Sequence, residues 1–242
     1  MSAFATALEE RLRTVATPER AEAEKRYLKS DLEFMGATVG QIRTAVRELS
    51  AGRSLDHGGL MAVVEDLWSA PVHERRMAAV LLLDRNARML DVNDLPLLER
   101  LVRESRTWAL VDGLATDVIG ALAGLHPTTV TPHLDRWAED DDFWVRRASL
   151  LAELRPIRKG GELDRFLARA DGMLEEKEFF IRKAIGWVLR EAGKRRPDEV
   201  VGWLAPRTHR SSGVTVREAV KYLPAADADR LVAAYRERRP AT

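Results

Sequence analysis

The sequence predicts an all-α protein built from repeated pairs of helices. Ala, Leu, Arg and Glu dominate its 242 residues, and all four are good helix formers. Apolar residues recur at helical spacing, whereas the alternation typical of strands is not evident. A short motif also returns about every 36 residues, which is a length typical of two-helix repeats. The chain is therefore expected to be a stack of helix pairs.

The repeat is recognised by a leading arginine followed by a charged residue and an apolar run. Four copies begin at Arg75, Arg146, Arg182 and Arg217, so their separations are 71, 36 and 35 residues. The first gap has room for one more copy, and Trp108-Ala-Leu-Val-Asp112 falls in register there. This pattern predicts an α-solenoid of HEAT type.

A solenoid repeat cannot bury its apolar face alone, so stacking must supply one continuous core. We therefore expect a single domain over residues 1–242. Residues 52–242 form the stacked repeats, and residues 1–51, which lack the motif, form an irregular helical cap.

Turn and capping residues mark the expected ends of the helices. Asp140-Asp-Asp142 precedes the helix at Phe143, and we interpret it as an N-cap rather than a metal cluster. His57-Gly-Gly and Lys159-Gly-Gly are expected to be turns. The prolines expected at helix boundaries are Pro71, Pro127, Pro132, Pro197 and Pro206.

Register also predicts which side chains share a surface. Equivalent positions in a solenoid project from the same side, so the residues after the leading position should form a row on one concave face. Asp112 is then expected near Arg147 and Lys183. The full row is Arg76, Asp112, Arg147, Lys183 and Glu218.

The helix around residues 181–194 carries a tryptophan away from its apolar stripe. Lys183, Trp187, Arg190 and Lys194 recur at helical spacing, more than a quarter-turn from that stripe. An aromatic ring among cations suits nucleic acid. Gly186 and Gly193 each cost about 1 kcal/mol relative to Ala inside a helix, which is compatible with close approach of another backbone. The stripe expected to be buried is Ile181, Ala184, Ile185, Val188 and Ala192.

Structural explanations remain open for the same residues. Trp108 aligns with Phe143 of another repeat, so it is also compatible with simple packing at a helix start. A neighbouring repeat is able to cover Trp187, and Asp112 is compatible with a structural ion pair to Arg147.

Composition excludes several classes of function. The chain has no cysteine, so disulfides and thiolate chemistry are excluded. Its five histidines form no metal-binding pair, and no nucleotide-binding or nucleophile motif is present, so we expect neither a metal nor a cofactor. No apolar run is expected to approach the roughly 20 residues of a membrane-spanning helix. We expect a cytoplasmic monomer.

The net charge of +1 hides an asymmetry between the halves. Residues 1–140 hold 17 Lys and Arg against 22 Asp and Glu, whereas residues 141–242 hold 22 against 16. A basic C-terminal half fits a polyanionic partner. Solvated helix faces are the alternative explanation of this charge.

Several segments resemble the AlkD-like DNA alkylation repair family, the HEAT-repeat DNA glycosylases. The similarity spans nearly the whole chain and is closest in the block around Ile185-Gly-Trp187. The segments that carry it are 27–36, 143–148, 177–191 and 214–222.

The resemblance implies a C-shaped solenoid that holds duplex DNA in a basic concave groove. It implies excision of positively charged N3- or N7-alkylated purines, with the lesion left stacked rather than flipped out. Trp108, Asp112 and Trp187 match the family's catalytic residues. Thr107 and Ala109 depart from its pattern, which puts substrate range in doubt. The residues expected to bind DNA are Arg147, Lys183, Arg190, Lys194, Arg146 and Tyr27.

A function without catalysis is the alternative. HEAT solenoids commonly act as scaffolds, so a DNA-binding or protein-binding protein with no glycosylase activity is also compatible with the sequence.

Overall fold

The computed structural model describes residues 2–52 and 55–237. These residues form helices and no strand; an isolated bridge joins Glu33 to Val72. The all-α prediction is confirmed. The chain divides into two compact units, Met1–Leu122 and Ala123–Thr242. Residues 53–54 and 238–242 of the predicted repeat region lie outside the described residues.

The first unit begins with three regular helices where the sequence predicted an irregular cap. Helices α1 and α3 pack against α4 and α5, so this segment shares the core of its unit. The helices are α1 (Ala3–Arg13), α2 (Pro18–Leu28), α3 (Val39–Ser50), α4 (His57–Ser69), α5 (His73–Arg85), α6 (Leu95–Ser105) and α7 (Trp108–Gly113). Short 3₁₀ turns, Ala87–Met89 and Val92–Asp94, lead into α6.

Helix α7 continues through a π-helical segment, Leu114–Ile119, into α8 (Gly120–Leu125). The resulting stretch, Trp108–Leu125, is 18 residues long and apolar enough by composition to cross a membrane, but 61% of it is buried in the protein. It has the character of a core helix. The expectation that no apolar run approaches a membrane span was therefore wrong for this segment.

The second unit repeats the pattern of paired helices. Helix α13 packs closely on α10 and α15, which are the corresponding helices of the neighbouring repeats. The helices are α9 (Pro127–Ala138), α10 (Phe143–Leu151), α11 (Leu154–Arg158), α12 (Asp164–Gly172), α13 (Phe179–Gly193), α14 (Pro197–Leu204), α15 (Gly213–Ala219) and α16 (Ala225–Glu237).

The register of the repeats is confirmed by where each helix begins. The motif position is the fourth residue of α7, α10 and α13, which is Val111, Arg146 and Arg182 respectively. In α7 a valine takes the place of the arginine. Arg75 and Arg217 are the third and fifth residues of theirs. The copy at residue 108, inferred from spacing alone, is thus a true member of the series.

Two arginines of the motif, Arg146 and Arg182, stabilise the turn before their own helix. Arg146 donates to the carbonyl of Asp140 and Arg182 to that of Glu176. Both acceptors lie six residues earlier in the chain. These carbonyls precede a helix and have no intrahelical partner, so the guanidinium groups satisfy them. The recurrence of arginine at these two positions therefore has a structural cause.

Some predicted boundaries hold and others do not. Asp142 caps α10 by accepting from the Trp144 backbone N–H at 2.8 Å, and Gly160 forms a turn. Pro132 lies inside α9 rather than at its end; it removes one helical hydrogen bond but keeps a helical φ. His57 begins α4 instead of forming a turn, because Asp56 caps the Gly59 N–H at 2.7 Å.

Candidate functional site

Two of the predicted site residues meet in the first unit. The ring of Tyr27, at the end of α2, contacts the Trp108 ring edge to face, with centroids 5.8 Å apart. Trp108 is half-buried, whereas Tyr27 is 71% exposed. The pair thus leaves aromatic surface accessible to a ligand. Trp108 is also the first residue of α7, as the packing explanation expected. Thr107, which precedes it, is buried.

A buried carboxylate fixes the loop that follows Tyr27. Glu74 of α5 accepts hydrogen bonds from the backbone N–H groups of Met35 (2.9 Å), Gly36 (2.7 Å) and Ala37 (3.2 Å). Gly36 has φ of +94°, and a Cβ there would lie 2.0 Å from the Thr17 carbonyl oxygen. Only glycine fits this turn. The Tyr27 side of the site is therefore held by the core.

Asp112 lies one turn after Trp108 on α7 and is half-buried. Residues four apart on a helix share a face, so the indole of Trp108 and the carboxylate of Asp112 lie next to each other on one face of α7. The proximity of Asp112 to Arg147 and Lys183 stays a prediction.

A cavity of about 280 Å³ lies beside the Tyr27–Trp108 pair, within the first unit. Ala109 and Gly113 of α7 and Asp117 of the π-helical segment form one wall of the cavity. Asp112 is about 100° around the helix from Gly113. Other lining side chains include Glu24, Tyr27, Arg43, His73, Asp84 and Trp108. Ala109 helps to leave this space open because its side chain is small. The family that the sequence resembles has a polar residue at this position.

The sequence predicted Trp187 to lie off the core of α13, and this is confirmed. The apolar stripe of the helix is buried, whereas Trp187 is half-buried between Lys183 and Arg190 on the other stripe. The three side chains occupy one helical face in the second unit.

The cations around Trp187 have carboxylate partners. Lys183 Nζ lies 2.6 Å from Glu218 Oε2, and Arg190 pairs with Glu218 as well. Lys194 Nζ lies 2.8 Å from Glu191 and 4.6 Å from the centre of the Tyr222 ring. Their roles in DNA binding stay predictions, and part of their charge is neutralised within the protein.

Glu218 organises this cluster from α15. Its side chain is 5% exposed and also contacts Lys221 Nζ at 3.0 Å, so one carboxylate gathers three cations. Gly186 makes room for it: a Cβ there would lie 2.6 Å from Glu218 Cβ and 3.0 Å from the Thr215 carbonyl oxygen. The close approach of another backbone is confirmed at Gly186; at Gly193 the atom that a Cβ would meet, at 3.0 Å, belongs to the Leu223 side chain.

The pKa of Glu218 makes its contribution dependent on pH. Burial alone would raise this pKa, but hydrogen bonds from Lys183 and Lys221 and the charge of Arg190 outweigh burial, so the pKa falls below its ordinary 4.5. A carboxyl with a lowered pKa in the folded state stabilises the fold above its unfolded pKa. That stabilisation is lost as the pH falls through the lower, folded value.

We therefore expect Glu218→Gln to lower the Tm at pH 7, with the difference from wild type shrinking below pH 4.5. Thermal unfolding of both proteins from about pH 7 to about pH 3 measures this difference. A Tm difference that stays constant across the range would show that the charge of Glu218 is not what stabilises the α13–α15 contact.

The side chains of Arg146 and Arg147 form contacts within the protein that the sequence did not predict. Arg146 makes a two-pronged ion pair with Glu176, with both N–O distances at 2.9 Å. Arg147 is buried, donates to the Phe180 carbonyl and lies over the Phe180 ring at 5.7 Å. Both side chains therefore join neighbouring repeats. A further role at DNA stays a prediction for each.

An aromatic cluster in the second unit was missed by sequence reasoning. The Trp144 and Phe180 ring centres lie 4.8 Å apart, and Phe143 stacks on Phe180 at 6.2 Å. Phe179 beside them is 53% exposed. Recurrence of paired aromatics at the starts of α10 and α13 was the available signal.

The sequence matches a family model described as DNA alkylation repair enzyme over residues 8–223. The chain belongs to the DNA alkylation repair enzyme family. The family resemblance found in the sequence is thus confirmed. No curated protein is similar enough in sequence to match the chain.

Solved structures agree on the fold of this family member. A predicted DNA alkylation repair enzyme from Enterococcus faecalis is 24% identical, with a TM-score of 0.78, over 87% of this chain and 97% of that one. AlkD2 from Streptococcus mutans is 19% identical, with a TM-score of 0.62, over 85% of this chain and 100% of that one. At these identities the likeness establishes the helical-repeat fold.

Proposed function

We propose that this DNA alkylation repair family member is a monofunctional DNA glycosylase that excises positively charged N3- or N7-alkylated purines from duplex DNA. The observation that carries the proposal is the position of Trp108 and Asp112, one turn apart at the start of α7 and both partly accessible. Trp187, half-buried among cations on α13, supports it. We further propose that the protein acts in the cytoplasm as a monomer, with no metal or cofactor.

The chemistry requires little from the protein. An alkylated purine already carries a positive charge and leaves as a neutral base, so no general acid is needed. Cleavage of the glycosidic bond leaves positive charge on the deoxyribose. The carboxylate of Asp112 stabilises that charge in a partly desolvated setting and orients the attacking water.

The indole rings of Trp108 and Trp187 add attraction for the same developing charge, about 0.5–2 kcal/mol each. Lys183, Arg190 and Lys194 contact phosphates, which positions the duplex with little base specificity. Because catalysis acts on the sugar, the lesion does not have to leave the base stack.

The direct test is release of free base from methylated duplex DNA. We expect wild-type protein to release methylated purine while the phosphodiester backbone stays intact, because a monofunctional glycosylase leaves an abasic site. Chromatography of the free base and denaturing gels of the strand measure the two products. Tight binding of methylated duplex without base release above background would contradict the proposal.

The paired cations give a reason to consider a protein-binding scaffold as a second function. Lys183 and Arg190 share Glu218, and Arg147 is buried, so the second unit offers less unshared positive charge than its sequence suggests. A scaffold would not depend on phosphate contacts.

Salt dependence of DNA binding separates the two functions. A lysine has three N–H donors, so Lys183 is able to bind a phosphate while it contacts Glu218. We expect Lys183→Gln to reduce the slope of log K against log salt by about 1. Arg230→Gln, a control at an exposed cation paired with Asp227, should leave the slope unchanged. Weak binding with no salt dependence in wild type would favour the scaffold.

A further inference from the structure

A polar cleft lies in the second unit, beside α13, α15 and α16. Its volume is about 300 Å³, which is at the lower end for ligand pockets. The polar side chains that line it include Glu175, Arg182, Arg210, Ser212 and Tyr235. A lining of this kind suits a small polar ligand, and its arginines suit an anion.

Arg217 differs from the equivalent arginines of the neighbouring repeats. Arg146 and Arg182 each donate to a carbonyl six residues earlier in the chain. Arg217, at the same motif position on α15, has neither a hydrogen bond nor an ion pair within residues 2–52 and 55–237. Its guanidinium group is therefore available to bind another molecule.

The Arg217 guanidinium lies at the edge of the cleft, next to the hydroxyl of Tyr235. Gly213, which lines the cleft, leaves space for both groups. A Cβ at this glycine would lie 2.8 Å from Arg217 Nη1 and 2.8 Å from Tyr235 Oη. Both groups donate hydrogen bonds, so two donors meet where an anion is able to accept from each.

The carboxylates beside the cleft already have arginine partners. Asp171 accepts from Arg210 at 3.0 Å and from Arg207 at 2.8 Å, and Glu175 lies 3.7 Å from Arg210. The hydrogen bond from Arg207, aided by the charge of Arg210, lowers the pKa of Asp171, so this carboxyl is ionised at neutral pH. Two negative charges thus face two positive ones on this side of the cleft.

Arg182 and Arg217 add two further positive charges. Arg182 Nε donates to the Glu176 carbonyl at 2.6 Å, whereas the carboxylate of Glu176 pairs with Arg146. Glu178 caps the start of α13. In the part of the chain that the structure describes, no carboxylate forms an ion pair with either Arg182 or Arg217. Two arginines without a carboxylate partner favour a ligand with two negative charges.

We propose that this cleft binds the phosphate monoester group of a small molecule. The planar guanidinium groups of Arg182 and Arg217 match phosphate oxygens in pairs, and the Tyr235 hydroxyl donates to the same group. Glu175, whose side chain is 68% exposed, would repel the neighbouring phosphates of a continuous DNA strand. The site goes beyond the proposed glycosylase activity, because it requires neither a purine nor a glycosidic bond.

The test uses two probes that differ in charge. Methyl phosphate is mainly a dianion at about pH 7.5, since the second pKa of a monoester is about 6, whereas dimethyl phosphate is a monoanion like the DNA backbone. We expect methyl phosphate to bind at least about tenfold more tightly in calorimetric titrations, which is about 1.4 kcal/mol. Equal affinity, tighter binding of the diester, or no binding of the monoester at millimolar concentration would overturn the proposal.

Matched variants locate the site. Arg217→Gln should keep the wild-type Tm and bind methyl phosphate at least about fivefold more weakly, because it loses charged hydrogen bonds to the ligand. Tyr235→Phe removes one hydroxyl and should weaken binding about twofold or more. Arg230→Gln removes an exposed cation on the helix that carries Tyr235, outside the cleft lining, and should bind as wild type does. Equal effects of Arg217→Gln and Arg230→Gln would also overturn the proposal.

DNA binding identifies the source of the phosphate. We expect Arg217→Gln to leave the slope of log K against log salt for duplex DNA unchanged, and saturating unmethylated duplex not to displace methyl phosphate. A slope reduced by about 1, or displacement by the duplex, would assign the cleft to the DNA backbone and overturn the proposal. Base release by Arg217→Gln is measured in parallel, so lost phosphate binding with retained base release separates this site from the glycosylase.

Discussion

Asp112→Asn should lower the rate of base release from methylated duplex about 100- to 1000-fold, the usual effect of removing one charge-stabilising group from an active site. The amide keeps the size of the side chain on α7 but cannot offset positive charge on the sugar. Single-turnover release of methylated purine, with protein in excess, measures the step directly. Affinity for the duplex should change far less than this rate.

The control for Asp112→Asn is Asp229→Asn, which removes a carboxylate from an exposed position on α16. It should retain the wild-type rate. Because Asp112 also takes part in interactions within the protein, the Tm of each variant is compared with that of wild type. A folded Asp112→Asn protein that releases base within about threefold of the wild-type rate would show that this carboxylate does not stabilise the transition state.

Gly186→Ala and Gly202→Ala should change stability in opposite directions, although both put alanine in a helix. The added Cβ at Gly186 would lie 2.6 Å from Glu218 Cβ and 3.0 Å from the Thr215 carbonyl oxygen. Overpacking of this kind costs about 1–3 kcal/mol, or more where backbone must move. The higher helix propensity of alanine returns about 1 kcal/mol, so we expect a net loss of about 2 kcal/mol.

At Gly202 on α14 an added Cβ meets nothing within 4 Å, so only the gain in propensity remains, about 1 kcal/mol. Urea unfolding of wild type and the two variants measures both changes. If Gly186→Ala were as stable as Gly202→Ala, then α15 would not approach α13 as closely as described. The pairing of Lys183 and Arg190 with Glu218 would then be in doubt.

The repeat architecture was readable from sequence because it depends on local patterns. The spacing of the motif located α7 at residue 108 even though Val111 replaces the arginine. The apolar stripe of α13 identified its buried face and left Trp187 outside it. Gly186 indicated a close contact, which the structure shows with Glu218 and Thr215, although a glycine inside a helix does not always mark one, because an added Cβ at Gly202 meets nothing within 4 Å.

The partners of the charged side chains were not readable in the same way. The sequence did not indicate the partners found for Arg146 and Arg147. These are Glu176 and the Phe180 carbonyl, which lie 30 and 33 residues further along the chain. Such pairs depend on how neighbouring repeats stack, and a motif shared by all repeats does not encode which carboxylate is near. For this reason the basic C-terminal half overstated the charge available to DNA.

The cavity was also invisible to sequence reasoning. Glu24, His73 and Asp117 come from three helices and share no spacing, so only the fold places them around one space. Tyr27 was found through its resemblance to the family and not through periodicity. Pro132 shows that a local rule can also fail. Proline usually marks the end of a helix, but Pro132 lies inside α9, which continues with one hydrogen bond missing.

Charge on the leaving base is the central requirement of the proposed chemistry, since Asp112 stabilises the sugar and no group protonates the purine. The most direct measurement compares release of 7-methylguanine, which is cationic in DNA, with release of hypoxanthine, which is neutral, from otherwise identical duplexes. We expect measurable release of 7-methylguanine and none of hypoxanthine above background. Release of both bases at similar rates, or of hypoxanthine alone, would contradict the claim that the leaving base must carry a positive charge.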